Sequence, residues 1–309
     1  MSAEMNVAVV DIGSNSTRLL IAELQDHRVT ELVRRSQVTR LGAGVDADGR
    51  LREDAMQRVF ETIDVYSTEI DNHRCERRVA VLTSAVRDSA NGRRFADEIQ
   101  ARYSLEPHVL SGDEEARLTF LGATSERDSS DRTATLVLDI GGGSTEVVIG
   151  CGRDVVFHVS TQAGVVRQTE RHLHHDPPEA GELTELAEDV RGILAAGVPA
   201  ERRNSVSRGI AVAGTATSLA AIAQSLDPYD PEKVHGYLLS AAECDRILRR
   251  LSKIPLEQRR EVPGLHPDRA PTIVAGVVIF REVLSLFGLE QIEISEHDIL
   301  RGAALDLIM

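Results

Sequence analysis

Hydrophobic and polar positions along the chain follow two rhythms. Short apolar runs rich in β-branched residues predict strands at 6–11, 18–24, 29–42, 78–83, 107–110, 155–160, 209–213 and 291–294. Recurrence at three and four residues predicts helices. The helix over 51–66 carries Met56, Val59, Phe60 and Ile63 on one face, and the helix over 93–103 turns Phe95 and Ile99 inward. Further helices are expected from the turn at Gly164 to about 173, over 183–194, from Ser218 onward, and over 240–251, where Ser240 and Glu243 form a capping box. Residues 271–287 are apolar on most faces and read as a central buried helix, and 297–309 as the last one. Between strand and helix, 84–92 reads as a loop, and Gly112 breaks the chain before a helical turn holding Asp113, Glu114 and Glu115. Strands alternating with helices imply an α/β fold with two mixed sheets.

One strand-loop-strand pattern occurs twice. The segments AVVDIGSNSTRLLIA at 8–22 and LVLDIGGGSTEVVIG at 136–150 share seven of fifteen positions without a gap, at an offset of 128. Asp11 matches Asp139, Gly13 matches Gly141, and Ser16 and Thr17 match Ser144 and Thr145. A repeated supersecondary unit implies two similar halves, with a boundary expected in the polar stretch 126–132, so that residues 1–128 and 129–309 form the two domains. The copies differ where chemistry would sit: Ser14 and Asn15 replace Gly142 and Gly143, and Arg18 stands where Glu146 stands.

The chain of 309 residues has a formal charge of −14, which argues against a nucleic-acid binder with a broad basic face. No apolar run reaches the ~20 residues of a membrane span, and the first residues lack a basic stretch ahead of an apolar core. Three widely separated cysteines exclude a disulfide framework and fit a reducing, cytoplasmic location. Acidity in a chain with phosphate-loop character points to a narrow grip on anions, made by a divalent ion, loop amides and a few arginines.

Candidate chemistry follows from these patterns. An apolar strand ending in Asp139 and running into Gly141, Gly142, Gly143, Ser144 and Thr145 suits backbone amides approaching a phosphate beside a cation-binding carboxylate. Arg87, with Ser84 before it, follows a buried strand and can meet phosphate oxygens bidentately; the plainer reading is a surface ion pair. Spacing leaves Glu114 and Glu115 open between helix-end complementation and a general base for water. The GTAT run 214–217 is equally open between strand-helix packing and a second anion or nucleotide site. His172, His174 and His175 lack an i, i+4 pair and read as a solvated helix end, while His235 and His297 read as lone structural histidines.

Taken together, DIGSNSTRLL, TSAVRDSANG, SGDEEARLTFLG, LDIGGGSTEVVIG, AGTATSLAA, HGYLLS, PGLHPDRAPTIVAGVVI and SEHDILRGAALD, in that order, resemble the exopolyphosphatase and guanosine pentaphosphate phosphohydrolase family, in the superfamily of actin, sugar kinases and heat-shock chaperone ATPases. The resemblance implies two ribonuclease-H-like domains with an interdomain cleft and magnesium-dependent removal of terminal phosphate, with manganese as an alternative ion. It matches Glu115 to the catalytic base and Asp139 and Glu146 to metal-side carboxylates, with Asp11 beside them. It matches Ser14, Asn15, Arg87, Gly141, Gly142, Gly143 and Ser144 to phosphate-loop residues, and Ser16, Arg18, Ser84 and Thr145 beside them are expected to contact phosphate too. Expected substrates are polyphosphate or pppGpp, with no nucleic acid or membrane partner and homodimerisation left open. A kinase or a non-catalytic binding module of the same superfamily are the competing classes. Two departures, Pro271 after DRA and Leu300-Arg301-Gly302 for Arg-Glu-Gly, lie away from the expected chemistry. Longer members carry extra helical domains, so short polymers or a nucleotide are favoured here.

Overall fold

The computed structural model describes residues 5–25 and 28–308, so the last position of the expected C-terminal helix, Met309, lies outside the described residues. The chain divides into two compact units, Met1–Ser125 with Asp298–Met309, and Glu126–His297.

The first unit is built on a five-stranded sheet of β1 (Met5–Ile12), β2 (Ser16–Gln25), β3 (Arg28–Val38), β4 (Arg77–Leu82) and β5 (Glu106–Val109), in the order β3-β2-β1-β4-β5. The first three strands are an antiparallel meander, and β4 and β5 continue parallel to β1. β1 is apolar on both faces because both are covered. Ala8, Val10 and Ile12 join Phe60, Ile63, Phe95 and Ile99, from the helices Glu53–Asn72 and Gly92–Tyr103. Val7 and Val9 join Leu118, Leu121, Leu300 and Ala304, from Gly112–Ala123 and Ile299–Asp306. Those last two helices touch backbone to backbone. A Cβ on Gly122 would lie 1.9 Å from the Asp298 carbonyl oxygen, and one on Gly302 would lie 1.9 Å from that of Leu118.

The second unit repeats the plan. β6 (Thr135–Ile140), β7 (Thr145–Cys151), β8 (Asp154–Thr161), β9 (Arg208–Val212), β10 (Leu238–Ser240) and β11 (Gln291–Ile294) lie in the order β10-β11-β9-β6-β7-β8. Again an antiparallel meander, β6-β7-β8, is extended by strands parallel to its first member, β9 and β11. The helix Ile273–Phe287 is buried along most of its length, as its all-round apolar sequence predicts. No described helix is long and apolar enough to cross a membrane.

Several expected boundaries shift, the helix over 51–66 running on to Asn72 and that over 183–194 spanning Ala180–Gly197. The strand over 29–42 stops at Val38, because the amides of Thr39, Arg40 and Gly42 turn to the carbonyls of Asn15 and Ser14. The stretch 84–92 contains a helical turn, Ser84–Arg87. The helix expected from Ser218 already begins at Ala213, which places GTAT in its first turn.

Candidate active site

Each unit presents one copy of the repeated hairpin, and local bonding explains why both loops hold the same shape. In the first unit the Gly13 amide donates to the Ser16 carbonyl at 3.0 Å; in the second, Gly141 donates to Ser144 at 2.9 Å. Both loops also give their carbonyls to a neighbouring segment. Ser14 and Asn15 accept from the amides of residues 39–42, and Gly141 and Gly142 accept from those of Val165, Val166 and Arg167. The approach in the second unit is so close that a Cβ on Gly164 would lie 2.2 Å from the Gly143 carbonyl carbon. Arg167 Nε fastens the Gly143 carbonyl as well, at 3.0 Å.

Register fixes which side chains face each other at the mouth of each hairpin. Directly opposed residues of an antiparallel pair project to the same face of the sheet. Asp11 is opposite Arg18, and Asp139 is opposite Glu146. In the first hairpin the opposition is attractive: Arg18 Nε and Nη2 donate to Asp11 Oδ2 at 2.8 and 2.5 Å. Arg18 Nη1 also pairs with Asp298, a carboxylate that accepts the Leu300 amide and lies 3.6 Å from Arg34. Burial pushes the Asp11 carboxyl above its usual range, and Arg18 only partly offsets this. Burial also opposes ionisation of Asp298, but Arg18, Arg34 and the Leu300 amide outweigh it and hold its pKa down.

In the second hairpin two acids face each other, an arrangement that destabilises a strand pair unless a cation is shared. Glu146 is aimed by two hydroxyls, Ser144 Oγ at 2.5 Å and Ser160 Oγ at 2.9 Å. A hard divalent cation takes oxygen ligands, and the donors fit one. In the first unit, taken by itself, Asp11 Oδ1 is buried without a hydrogen-bond partner among the described residues.

The two glutamates at the start of the Gly112–Ala123 helix separate cleanly. Glu114 closes a capping box, its Oε2 accepting from the Ser111 amide and hydroxyl at 2.9 and 2.7 Å. Glu115 instead meets Arg87, whose Nη1 donates to Oε2 at 3.0 Å and to the Leu110 carbonyl at 3.0 Å. Burial alone would lower the Arg87 pKa; the hydrogen bond and charge of Glu115 reverse that and raise it. Ser84 Oγ lies 3.0 Å from Ser14 Oγ, which brings the β4 end beside the first loop. The first unit thus gathers Asp11, Ser14, Arg18, Ser84, Arg87 and Glu115 around the ends of β1 and β4. The second gathers Asp139, the glycine loop, Thr145 and Glu146 at the ends of β6 and β7. Asp298, Ser160 and Arg167 were missed from the sequence. Ser160 could be found only from the β7–β8 register, which sets it opposite Glu146.

Residues 20–308 match the pattern described as the Ppx/GppA phosphatase family.

The chain belongs to the Ppx/GppA phosphatase family.

Among curated Ppx/GppA-like relatives, Exopolyphosphatase 2 of Mycobacterium tuberculosis is 37% identical over 314 residues, spanning 97% of this chain and 98% of that protein. Of solved structures, the Aquifex aeolicus Ppx/GppA family member superposes with a TM-score of 0.85 at 31% identity, covering 99% of this chain and 98% of that one. An exopolyphosphatase from Cytophaga hutchinsonii gives 0.87 at 27% identity, covering 98% of each chain. The family is one of phosphoanhydride hydrolases, and this chain is an enzyme of that kind.

Proposed function

We propose that this Ppx/GppA protein is an exopolyphosphatase, releasing terminal phosphate from inorganic polyphosphate by in-line attack of water. The single observation that carries the reading is the division of labour between Glu114 and Glu115: the first is consumed by its capping box, while the second, one residue on, is held by Arg87. Glu115 orients the attacking water and accepts its proton. Arg87 fixes that carboxylate and offers its remaining donors to phosphate oxygens. The amides of the Gly141–Ser144 loop cradle the terminal phosphoryl group, helped by Ser14, Asn15, Ser16, Ser84 and Thr145. Arg18 serves through Asp11 and Asp298, which already occupy its guanidinium, and not as a direct phosphate clamp.

Asp139 and Glu146, with Asp11, would hold the magnesium ion. When bound, it would offset charge on the transferring and leaving oxygens. The separate, free cysteines support a reducing, cytoplasmic setting. A 5′-phosphohydrolase acting on pppGpp is the alternative that shares this chemistry, since both substrates end in a phosphoanhydride.

The test compares phosphate release from short polyphosphate, long polyphosphate and pppGpp, with magnesium and without any acceptor. Polyphosphate should be the best substrate. Glu115→Gln should bind it normally and lose ~10²–10⁴-fold in turnover. Near-normal turnover by that variant, or phosphate transfer that needs an added acceptor, would overturn the proposal.

A further inference from the structure

His235 and His297, which read as lone residues in the sequence, come together with Glu126 in the second unit. One ligand atom from each lies within 4.8 Å of the other two. Glu126 Oε2 is 3.4 Å from His235 Nε2, and Oε1 is 3.8 Å from His297 Nδ1. Both separations are long for a strong N–H···O bond. The edge of a tetrahedron around a first-row cation is of similar size: metal–ligand distances of ~2.0–2.2 Å put neighbouring ligand atoms about 3.3–3.6 Å apart, which the first separation matches and the second slightly exceeds. The two rings lie with centroids 4.3 Å apart and tilted by 41°, both offering a nitrogen to the same carboxylate.

The imidazoles are held in place by their backbones. The Gly236 amide donates to the Ile294 carbonyl and the Ile294 amide to that of Tyr237, at 2.8 Å each. The His297 amide donates to Ser295 Oγ at 2.9 Å. Glu126 is the most exposed partner, with 58% of its side chain exposed against 31% and 13% for His235 and His297. Two imidazoles and one carboxylate are a borderline donor set, suited to zinc-like ions and unlike the all-oxygen set that magnesium prefers.

We propose that Glu126, His235 and His297 form a binding site for a divalent transition-metal ion of the zinc class, with water in the fourth position. Because Glu126 opens the second unit and His297 is its last residue, the ion fastens together the segments by which the chain enters and leaves that unit. Binding has a defined proton consequence. The Glu296 amide now donates to His235 Nδ1 at 3.2 Å, which leaves the ring proton on Nε2. A metal at Nε2 needs the lone pair there, so that single proton must shift to Nδ1, and the Glu296 contact opens. That cost selects for ions with high affinity for imidazole. The site is independent of the hydrolase reading.

The test is titration of the full-length protein with cobalt(II) and zinc(II) in a large excess of magnesium, which keeps the oxygen-donor carboxylates occupied. Cobalt should bind at one ion per chain with the visible absorption of a tetrahedral N/O site, and zinc should displace it. Zinc should also raise the thermal midpoint of the wild type and shift the Glu296 amide resonance. Glu126→Gln, His235→Gln and His297→Gln should each weaken binding by about 10–100-fold. Absence of the cobalt band, or wild-type binding by Glu126→Gln, overturns the proposal. Glu126 is the most exposed ligand, so that variant decides the matter even where a histidine variant fails to fold.

Discussion

The two hairpins are one design put to two electrostatic uses. Both close with the same hydrogen bond from a Gly amide to a Ser carbonyl, and in both a buried threonine anchors the loop: Thr17 against Thr39, and Thr145 against the Ala163 carbonyl. At the position opposite the strand-end aspartate they diverge. Arg18 neutralises Asp11 from within, whereas Glu146 adds a second negative charge to Asp139. The first hairpin therefore sets opposite charges across its strand pair, and the second sets like charges. The half with the self-neutralised hairpin also carries Glu115, the proposed base. The half with the facing acids carries the glycine loop. One cross-strand residue is enough to give a duplicated scaffold two different roles.

The largest expected effect comes from removing the neutralising charge. Arg18→Ala leaves Asp11 and Asp298 as buried carboxylates stripped of a shared partner, and breaking a buried pair costs about 3–5 kcal/mol. Denaturant unfolding should show that loss in full at neutral pH. A loss below ~1 kcal/mol would mean the first hairpin does not depend on its arginine.

Much of this contrast was legible in the sequence. The repeat set Asp11 against Asp139 and Arg18 against Glu146, and periodicity located the strands and the larger helices, because covered strands and buried helix faces leave dense apolar signatures. What was not legible was long-range pairing. Asp298 lies 280 residues from Arg18, in a segment read as remote from the chemistry. It reaches the first hairpin only because Gly122 and Gly302 let two helices touch. His235 and His297 are likewise joined by the β10–β11 corner and not by any spacing. The helical turn Ser84–Arg87 was too short to leave a period.

The second hairpin is closely backed by the segment that begins at Gly164. Gly164→Ala would drive a methyl group into the Gly142–Gly143 backbone. Overpacking of this kind costs about 1–3 kcal/mol, and here it should also displace the loop. The measurement is kcat against KM alongside stability, and lost turnover in a protein still folded at assay temperature is the expected pattern. Gly42→Ala is the matching change beneath the first hairpin, since its Cβ would meet Ser14 Cβ at 2.9 Å. It should be milder, because the closest approach is 2.9 Å against 2.2 Å at Gly164.

A smaller effect separates the two carboxylates that share Arg18. Asp298 has a depressed folded pKa, so its contribution is full above the unfolded value near 3.8 and is lost as pH falls through the lower folded value. Asp11 is shifted the other way by burial, so its ionisation costs stability above its folded pKa, and protonation relieves that cost as pH falls. Asp298→Asn should therefore be less stable than Asp11→Asn at pH 7. Its deficit against the wild type should shrink below about pH 3.8. Thermal melts across pH 3–7 check the order, and equal deficits for the two variants would contradict it.

The most direct measurement is the magnesium dependence of thermal stability in the wild type and in Glu146→Arg, which gives the second hairpin the cross-strand pair of the first. Magnesium should raise the wild-type midpoint. Glu146→Arg should fold at least as well without the ion, respond little to it, and release almost no phosphate from polyphosphate. A magnesium response and turnover equal to those of the wild type would contradict the proposal that Asp139 and Glu146 hold magnesium.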